Sequence, residues 1–400
     1  MSDRNTFFVE DEEKQKQKDR NDYQKRMRQH RMSSLYRLLL VVLVLAAVCV
    51  IIIVQYNRHV YQGYEIVKSV SRELSGGAHD IALSKAILTY SKDGAHCTQA
   101  DGTVTWNQTF EIQDLLVAVS QDVAAISGYN ERIIYLVNSE KILGQISTNM
   151  PVKNIAVSAS GKVTAVVEEG SITWINTYDS NGNMLFTGQA RMNESGYPFC
   201  LNLSPGGELL AISYLFLDAG ELKSNVAFYN LGQVGDNYND FLVSANHYSN
   251  LLVPEVRFLN DSTAIAVGDS RIMVYKGNQI PTSSAERLFE KQLESVYFGE
   301  HEIALVFRNE MSEEKYLLQI YDEKTNLVME KPFDMEYTDI ILEHDKVVIY
   351  NETQIQIFTF KGFEKYNGTF EKSFHLLLPS ASPYKYHLVC EDSIDTIQLN

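Results

Sequence analysis

The feature that most constrains the fold is a repeat of short apolar runs separated by small polar turns, which extends from residue 79 to residue 400. The clearest unit contains three such segments, at 154–161, 162–168 and 171–179. Runs rich in β-branched residues with turns about every 8–12 residues are typical of a sandwich, a barrel or a propeller. No stretch in this region has a sustained period of 3.6, so an all-β domain is predicted.

The spacing of the repeat selects among these folds. Leading strands are predicted near eight positions: Ile81, Asp114, Lys153, Phe199, Pro254, Leu293, Thr338 and Phe374. The intervals between them, 33 to 55 residues, bracket the roughly 40–50 residues of a four-stranded propeller blade. One blade cannot cover both of its faces, whereas blades stacked around an axis can. An eight-bladed β-propeller is therefore predicted, with seven blades as the alternative if the last two units form one distorted blade.

The final unit lacks one strand of a complete blade. Only three strands are predicted in it, at 373–378, 386–390 and 395–399. A fourth is available at 64–71, where apolar and polar residues alternate. Its pairing with the last blade would leave no exposed edge at the seam of the ring. We therefore predict that a stalk, 57–78, supplies the closing strand of a propeller at 79–400.

Residues 38–54 form an uninterrupted apolar run of 17 residues. A helix that spans a bilayer needs roughly 17–25 apolar residues, and Tyr36 and Tyr56 stand where interfacial aromatic residues belong. A transmembrane signal-anchor helix at 35–56 is predicted, in contact with the lipid bilayer through 38–54. A buried core helix is disfavoured because no flanking apolar helix could cover it. A cleaved signal peptide is disfavoured because no small-residue cleavage site follows the run.

The charge distribution predicts how the anchor is oriented. The tail, 1–34, is rich in basic residues, and five Lys or Arg residues and no acidic residue lie between positions 23 and 37. The positive-inside rule places this end in the cytoplasm and the propeller outside the cell membrane, as in a single-pass type II protein. Residues 1–37 carry a net charge of +3 and residues 38–400 carry −19, which together give the −16 of the whole chain. Such an acidic domain argues against binding to nucleic acid.

The sequence contains no motif for catalysis or for a cofactor. GxSxG, HExxH, GxxxxGK[ST] and GxGxxG are all absent. The nine histidines lack ligand spacing and are interpreted as surface or turn residues, and the few cysteines show neither a disulfide framework nor metal-site spacing. The segment 179–183 is similar to a calcium loop but lacks its glutamate ligand, so it is interpreted as a turn. No catalytic residue, cofactor or metal site is predicted.

Several segments resemble known propeller repeats. The turns at 156–161 and 203–207 resemble those of WD40-like repeats, and 100–106, Ala-Asp-Gly-Thr-Val-Thr-Trp, resembles the end of a quinoprotein-type repeat. A basic tail, one anchor and a diverged propeller together resemble a family of uncharacterised membrane-anchored propeller proteins from Gram-positive bacteria. The Trp-Asp and Gly-His pairs of WD40 blades and the adjacent cysteines of quinoproteins are absent, so the resemblance implies fold and topology only.

The longest interval, 55 residues, contains an insertion, 215–253, which is a candidate partner-binding loop with aromatic anchors Tyr238, Phe241 and Tyr248. The alternative is an irregular connection.

We expect a non-enzymatic binding or scaffolding module of the cell envelope, whose partner is an envelope protein or a cell-wall component. The alternative function is an enzyme that acts on envelope glycans through paired carboxylates in the central channel. A buried pair with raised pKa values would favour the enzyme.

Overall fold

The computed structural model divides into two compact units, residues 1–59 and 60–400. The structure describes residues 20, 25, 27, 37–51, 54–55, 58–73, 76–170, 172–191, 195–218, 220–309 and 313–400.

The N-terminal unit contains a helical segment at 37–51, whose Leu, Val and Ile side chains are exposed. Among the described residues, none of the helices has both the length and the apolar character that a membrane crossing requires. The predicted anchor at 35–56 includes residues 35, 36, 52, 53 and 56, which lie outside the described residues. Most of the predicted tail, 1–34, also lies outside them.

The second unit is an eight-bladed β-propeller built from eight four-stranded antiparallel sheets. Blades 1 to 4 contain β2 (His79–Leu83), β3 (Ala86–Ser91), β4 (Gly94–Gln99), β5 (Val104–Thr109); β6 (Leu115–Ser120), β7 (Val123–Gly128), β8 (Ile133–Asn138), β9 (Ile142–Ser147); β10 (Val152–Val157), β11 (Val163–Glu169), β12 (Ile172–Tyr178), β13 (Met184–Ala190); and β14 (Tyr197–Leu203), β15 (Leu209–Asp218), β16 (Glu221–Asn230), β17 (Leu242–Ser249). Two short 3-10 helices, Gly235–Asn237 and Asn239–Phe241, connect the last two of these strands.

Blades 5 to 8 continue the same order. They contain β18 (Glu255–Asn260), β19 (Thr263–Val267), β20 (Arg271–Lys276), β21 (Thr282–Leu288); β22 (Leu293–Phe298), β23 (Glu302–Arg308), β24 (Tyr316–Asp322), β25 (Leu327–Phe333); β26 (Asp339–Glu343), β27 (Lys346–Tyr350), β28 (Gln354–Thr359), β29 (Glu364–Thr369); and β30 (Leu376–Pro379), β31 (Lys385–Val389), β32 (Ser393–Leu399), with β1 (Tyr64–Ser71) as the outer strand of blade 8. Each predicted leading position lies in, or within two residues of, the first strand of a blade.

First strands contact one another between blades 2 and 3, 3 and 4, 4 and 5, and 6 and 7, and β2 of blade 1 contacts β30 of blade 8, which closes the ring. The prediction of eight blades is confirmed, and the alternative of seven is wrong. Because each blade is antiparallel, its first and third strands begin at one face of the ring, and its second and fourth strands end there. We call this the start face.

The closing strand joins the two ends of the propeller. β1 pairs with β32 from Tyr64 opposite Leu399 to Ser71 opposite Ser393, as the alternation at 64–71 predicted. Upstream of β1, the backbone N–H of Tyr61 donates to the Lys365 carbonyl at 2.8 Å, so the segment before β1 also contacts blade 7. A core cluster packs between blades 7 and 8, where the Tyr64 ring lies 4.4 Å from that of Phe370.

The motif at 100–106 connects adjacent blades. Gly102 has a φ of +91°, which glycine adopts without strain, and it makes the turn between β4 and β5. The Trp106 indole N–H then donates to the Asn138 carbonyl of blade 2 at 2.6 Å. The interface between blades 1 and 2 therefore contains a buried aromatic residue whose polar atom is satisfied.

Candidate binding site

A buried carboxylate lies at the seam where blade 8 meets blade 1. The Asp80 side chain, on β2, is fully buried, and Arg72, which follows β1, forms an ion pair with it at 2.9 Å. His375, immediately before β30, lies 2.5 Å from the same carboxylate, and the Thr89 hydroxyl donates to it at 2.5 Å. Burial by itself would raise the pKa of Asp80. The hydrogen bonds from His375, Arg72 and Thr89, with the charge of Arg72, outweigh burial and lower the pKa to about 2.

A cleft of about 600 Å³ opens beside this seam, between blades 1 and 2 at the start face. His79 and Tyr90, a cross-strand pair with ring centroids 5.7 Å apart, form one wall together with Lys92. The segment 113–116 and Tyr129 form the other wall. Burial and the charge of nearby Asp80 raise the pKa of Tyr90, so its hydroxyl stays protonated at neutral pH.

The neighbouring junction, between blades 2 and 3, contains polar groups that satisfy one another. The Lys153 ammonium donates to Asn130 Oδ1 at 2.6 Å and to the Tyr129 hydroxyl at 3.4 Å. It also forms an ion pair with Glu168 at 3.4 Å and lies 4.6 Å from the centre of the Tyr129 ring. This network holds the Tyr129 ring at the edge of the cleft.

The hairpin between the second and third strands is longest in blade 4. Strands β15 and β16 have ten residues each, whereas the second and third strands of the other blades have five to seven. The flanking strands stop pairing at Leu215 and Lys223, so the hairpin continues beyond them at the start face. Leu217, at its tip, is 73% exposed, which makes it the most exposed large hydrophobic residue described in the propeller.

The three aromatic residues predicted as one partner-binding loop do not form one. Most of 215–253 is strand, and Tyr248 lies within β17. Its hydroxyl hydrogen-bonds that of Tyr275 at 2.6 Å. Tyr238 and Phe241 lie in the connection at the opposite face, and the Phe241 ring packs 5.5 Å from that of Phe186. A single loop is therefore the wrong description, and a binding role for these residues stays a prediction.

Two inner-strand carboxyl groups have raised pKa values. Burial is the main cause for Glu255, at the start of β18, and for Asp339, at the start of β26. The charge of Arg257 partly offsets it at Glu255, and bonds from the Ile340 N–H and the Tyr350 hydroxyl do so at Asp339. These carboxyl groups belong to blades 5 and 7, and the first strand of blade 6 lies between those of the two blades. Neither carboxyl group lines the cleft between blades 1 and 2, and a catalytic pair of carboxylates stays the alternative prediction.

The segment 179–183 is a turn. The Asp179 carboxylate accepts hydrogen bonds from the backbone N–H groups of Asn181 and Asn183, both at 2.9 Å. Asp322 repeats the arrangement with Lys324 and Asn326. Within the described part of the chain, no group of three or more His, Cys, Asp or Glu side chains is arranged to hold a metal ion.

The sequence pattern did not identify the seam residues as partners. His375 lies in a bend and its side chain is 33% exposed, which agrees with its interpretation as a surface or turn residue, but that interpretation does not include the bond from its ring to a buried carboxylate. A signal was available, because the predicted closing strand already places Arg72 beside the last blade. The cleft residues gave no such signal, since none belongs to a recognisable motif.

Comparison with known proteins agrees with this architecture. Residues 57–399 match a family of unknown function, DUF5711. The chain belongs to this family. No functionally curated protein matches it. The structure is similar to BamB from Moraxella catarrhalis, with a TM-score of 0.51 and 9% identity over 84% of this chain and 100% of that chain. It is also similar to Sqt1 from Saccharomyces cerevisiae, with a TM-score of 0.52 and 10% identity over 84% of this chain and 100% of that chain. At these identities the likeness concerns the fold alone.

Proposed function

We propose that this chain is a membrane-anchored, extracytoplasmic scaffold that binds a protein partner at the start face and has no enzymatic activity of its own. The observation that carries the proposal is the hairpin of blade 4, which extends past its neighbours and ends in the exposed Leu217. An apolar side chain raised on a rigid strand pair is suited to insert into a pocket of a partner. The closed ring supports this proposal, because it limits the movement of the base of the hairpin.

The apolar run at 38–54 and the basic residues that precede it support the proposed anchor and its orientation. Anchoring would keep the start face among proteins of the envelope. The net charge of −19 over residues 38–400 favours a partner whose contact surface is neutral or basic.

Site-specific photocrosslinking in intact cells tests this function. A photoreactive residue at Leu217 is expected to capture a defined protein, which mass spectrometry then identifies. The same substitution at Leu327 is the matched control, because Leu327 is also exposed but begins a fourth strand and so lies at the opposite face. Leu217→Asp should reduce co-purification of the captured protein by about tenfold or more, the effect of losing a central apolar contact.

Two outcomes would contradict the proposal. Equal capture from both positions would indicate non-specific contact, and a Leu217→Asp variant that retains full co-purification would remove the hairpin from the interface. Trypsin added to the intact cells before illumination tests the location. It should digest the propeller and leave an N-terminal tag intact, and the reverse pattern would contradict the proposed orientation.

A further inference from the structure

Polar side chains around the cleft between blades 1 and 2 lack the hydrogen bonds that their neighbours at the adjacent junctions make. At the seam, Asp80 is bonded to three side chains, and at the next junction Lys153 is bonded to three others. Around the cleft, the side chains of His79, Tyr90 and Lys92 make no hydrogen bond or ion pair with any described residue.

Polar side chains on the other wall are also without partners among the described residues. The side chains of Gln113 and Asp114 have no hydrogen bond or ion pair to the described part of the chain, and both are exposed at the rim. Lys92, which follows β3 of blade 1, is also exposed, and its ammonium lies beyond 4.0 Å of any described carboxylate. The cleft therefore has an unpaired cation on one side and an unpaired anion on the other.

We propose that this cleft binds a small zwitterion, an amino acid or a short peptide, with its carboxylate at Lys92 and its amino group at Asp114. A ligand of one charge would satisfy one rim and repel the other, whereas a zwitterion satisfies both. Leu115, Leu116 and the ring of Tyr129 provide an apolar surface for the ligand's side chain. The Gln113 amide can donate to and accept from a peptide group.

The size of the cleft agrees with this class of ligand. A volume of about 600 Å³ lies within the roughly 300–1,000 Å³ of small-ligand sites, so a few amino-acid residues fit and a folded domain does not. The proposal does not depend on the hairpin of blade 4 or on a membrane anchor, so it can fail or succeed independently of the proposed function.

Calorimetric titration of the full chain with trialanine in four forms tests the assignment: unmodified, N-acetylated, C-amidated and modified at both ends. The unmodified peptide should bind best, and each modification should weaken binding about tenfold or more, because each removes a charge-assisted hydrogen bond. Lys92→Met should abolish the discrimination against the C-amide while keeping that against the N-acetyl group. Asp114→Asn should do the reverse.

Lys85→Met is the control variant, because Lys85 lies in the turn between β2 and β3 at the opposite face. It should bind all four peptides as the unmodified chain does. Thermal unfolding curves that match for all three variants would show that the rim substitutions act on the ligand and not on the fold. No detectable binding of trialanine at millimolar concentration would overturn the proposal. So would equal binding of all four forms, or tighter binding of the neutral sugar chitotriose.

Discussion

Blade 8 lies between two aspartates, Asp80 with a fully buried side chain and the partly buried Asp339, that differ in their partners. On the side of blade 1, Asp80 is held by Arg72, His375 and Thr89, and its pKa falls to about 2. On the side of blade 7, Asp339 accepts a bond from Tyr350, whose ring packs near Phe374 of blade 8, and its pKa is raised. The same residue type at the same face thus has opposite shifts.

The difference indicates where the ring needs an ionic contact. Blades 7 and 8 are consecutive in the chain, and a continuous aromatic cluster holds them together. The segment 72–78 joins β1 of blade 8 to β2 of blade 1, but the other three strands of blade 8 come from the opposite end of the propeller and are held there through the pairing of β1 with β32. There a charged residue after the closing strand and a histidine before β30 meet one carboxylate. We infer that the Asp80 cluster stabilises the seam, whereas the charge on Asp339 is a small cost that packing tolerates.

The closing strand should have the largest effect. Replacing 64–71 by a Gly-Ser sequence of equal length removes the outer strand of blade 8 but keeps the length of the chain between its flanking residues. We expect the free energy of unfolding to fall by more than about 5 kcal/mol, a large share of the 5–15 kcal/mol typical of natural domains. Thermal unfolding followed by far-UV circular dichroism measures this. Leu217→Ser, at the exposed hairpin tip, is the control and should stay within about 0.5 kcal/mol. Unchanged melting of the strand replacement would show that the ring does not need β1.

Asp80→Asn should have the next largest effect. The substitution leaves the Arg72 guanidinium without its counter-charge at a largely buried site, and breaking such a pair costs about 3–5 kcal/mol. Urea unfolding at pH 7 measures the loss. The double variant Arg72→Met/Asp80→Asn should recover part of it, because the unpaired cation is then removed. A loss below about 1 kcal/mol would contradict the proposed role of the seam.

The pH dependence of the same variant has a definite sign. Because the pKa of Asp80 is lower in the folded state than its ordinary 3.8, the stabilisation by its carboxylate is complete above that value. It is lost as the pH falls toward about 2. The difference in free energy of unfolding between the original chain and Asp80→Asn should therefore shrink as the pH falls below 4.

Asp339→Asn should have the smallest effect and the opposite sign. Asparagine keeps an oxygen that can accept the Tyr350 hydroxyl and removes a buried charge, so we expect a gain of up to about 1 kcal/mol at pH 7. A raised pKa means that the contribution of Asp339 is favourable when it is protonated and is lost as the pH rises through that pKa. Urea unfolding at pH 7 and pH 4 should show the gain only at the higher pH. A loss at pH 7 like that of Asp80→Asn would remove the contrast between the two sides of blade 8.

The sequence by itself determined the repeat, the eight leading strands and the closing strand. Alternation at 64–71 and the runs at 154–161 are local patterns, and which side of a strand is buried can be recognised without the rest of the molecule. The missing fourth strand of the last unit also followed from counting strands.

Only the tertiary structure decided which side chains meet. Asp80 and His375 are 295 positions apart, and closure of the ring brings them together. The cleft depends on the spacing of blades 1 and 2, and Tyr238 and Tyr248 lie toward opposite faces because β17 runs between them. Strand periodicity reports burial along one segment, whereas a site depends on distances between segments. Those distances depend on the packing of all eight blades.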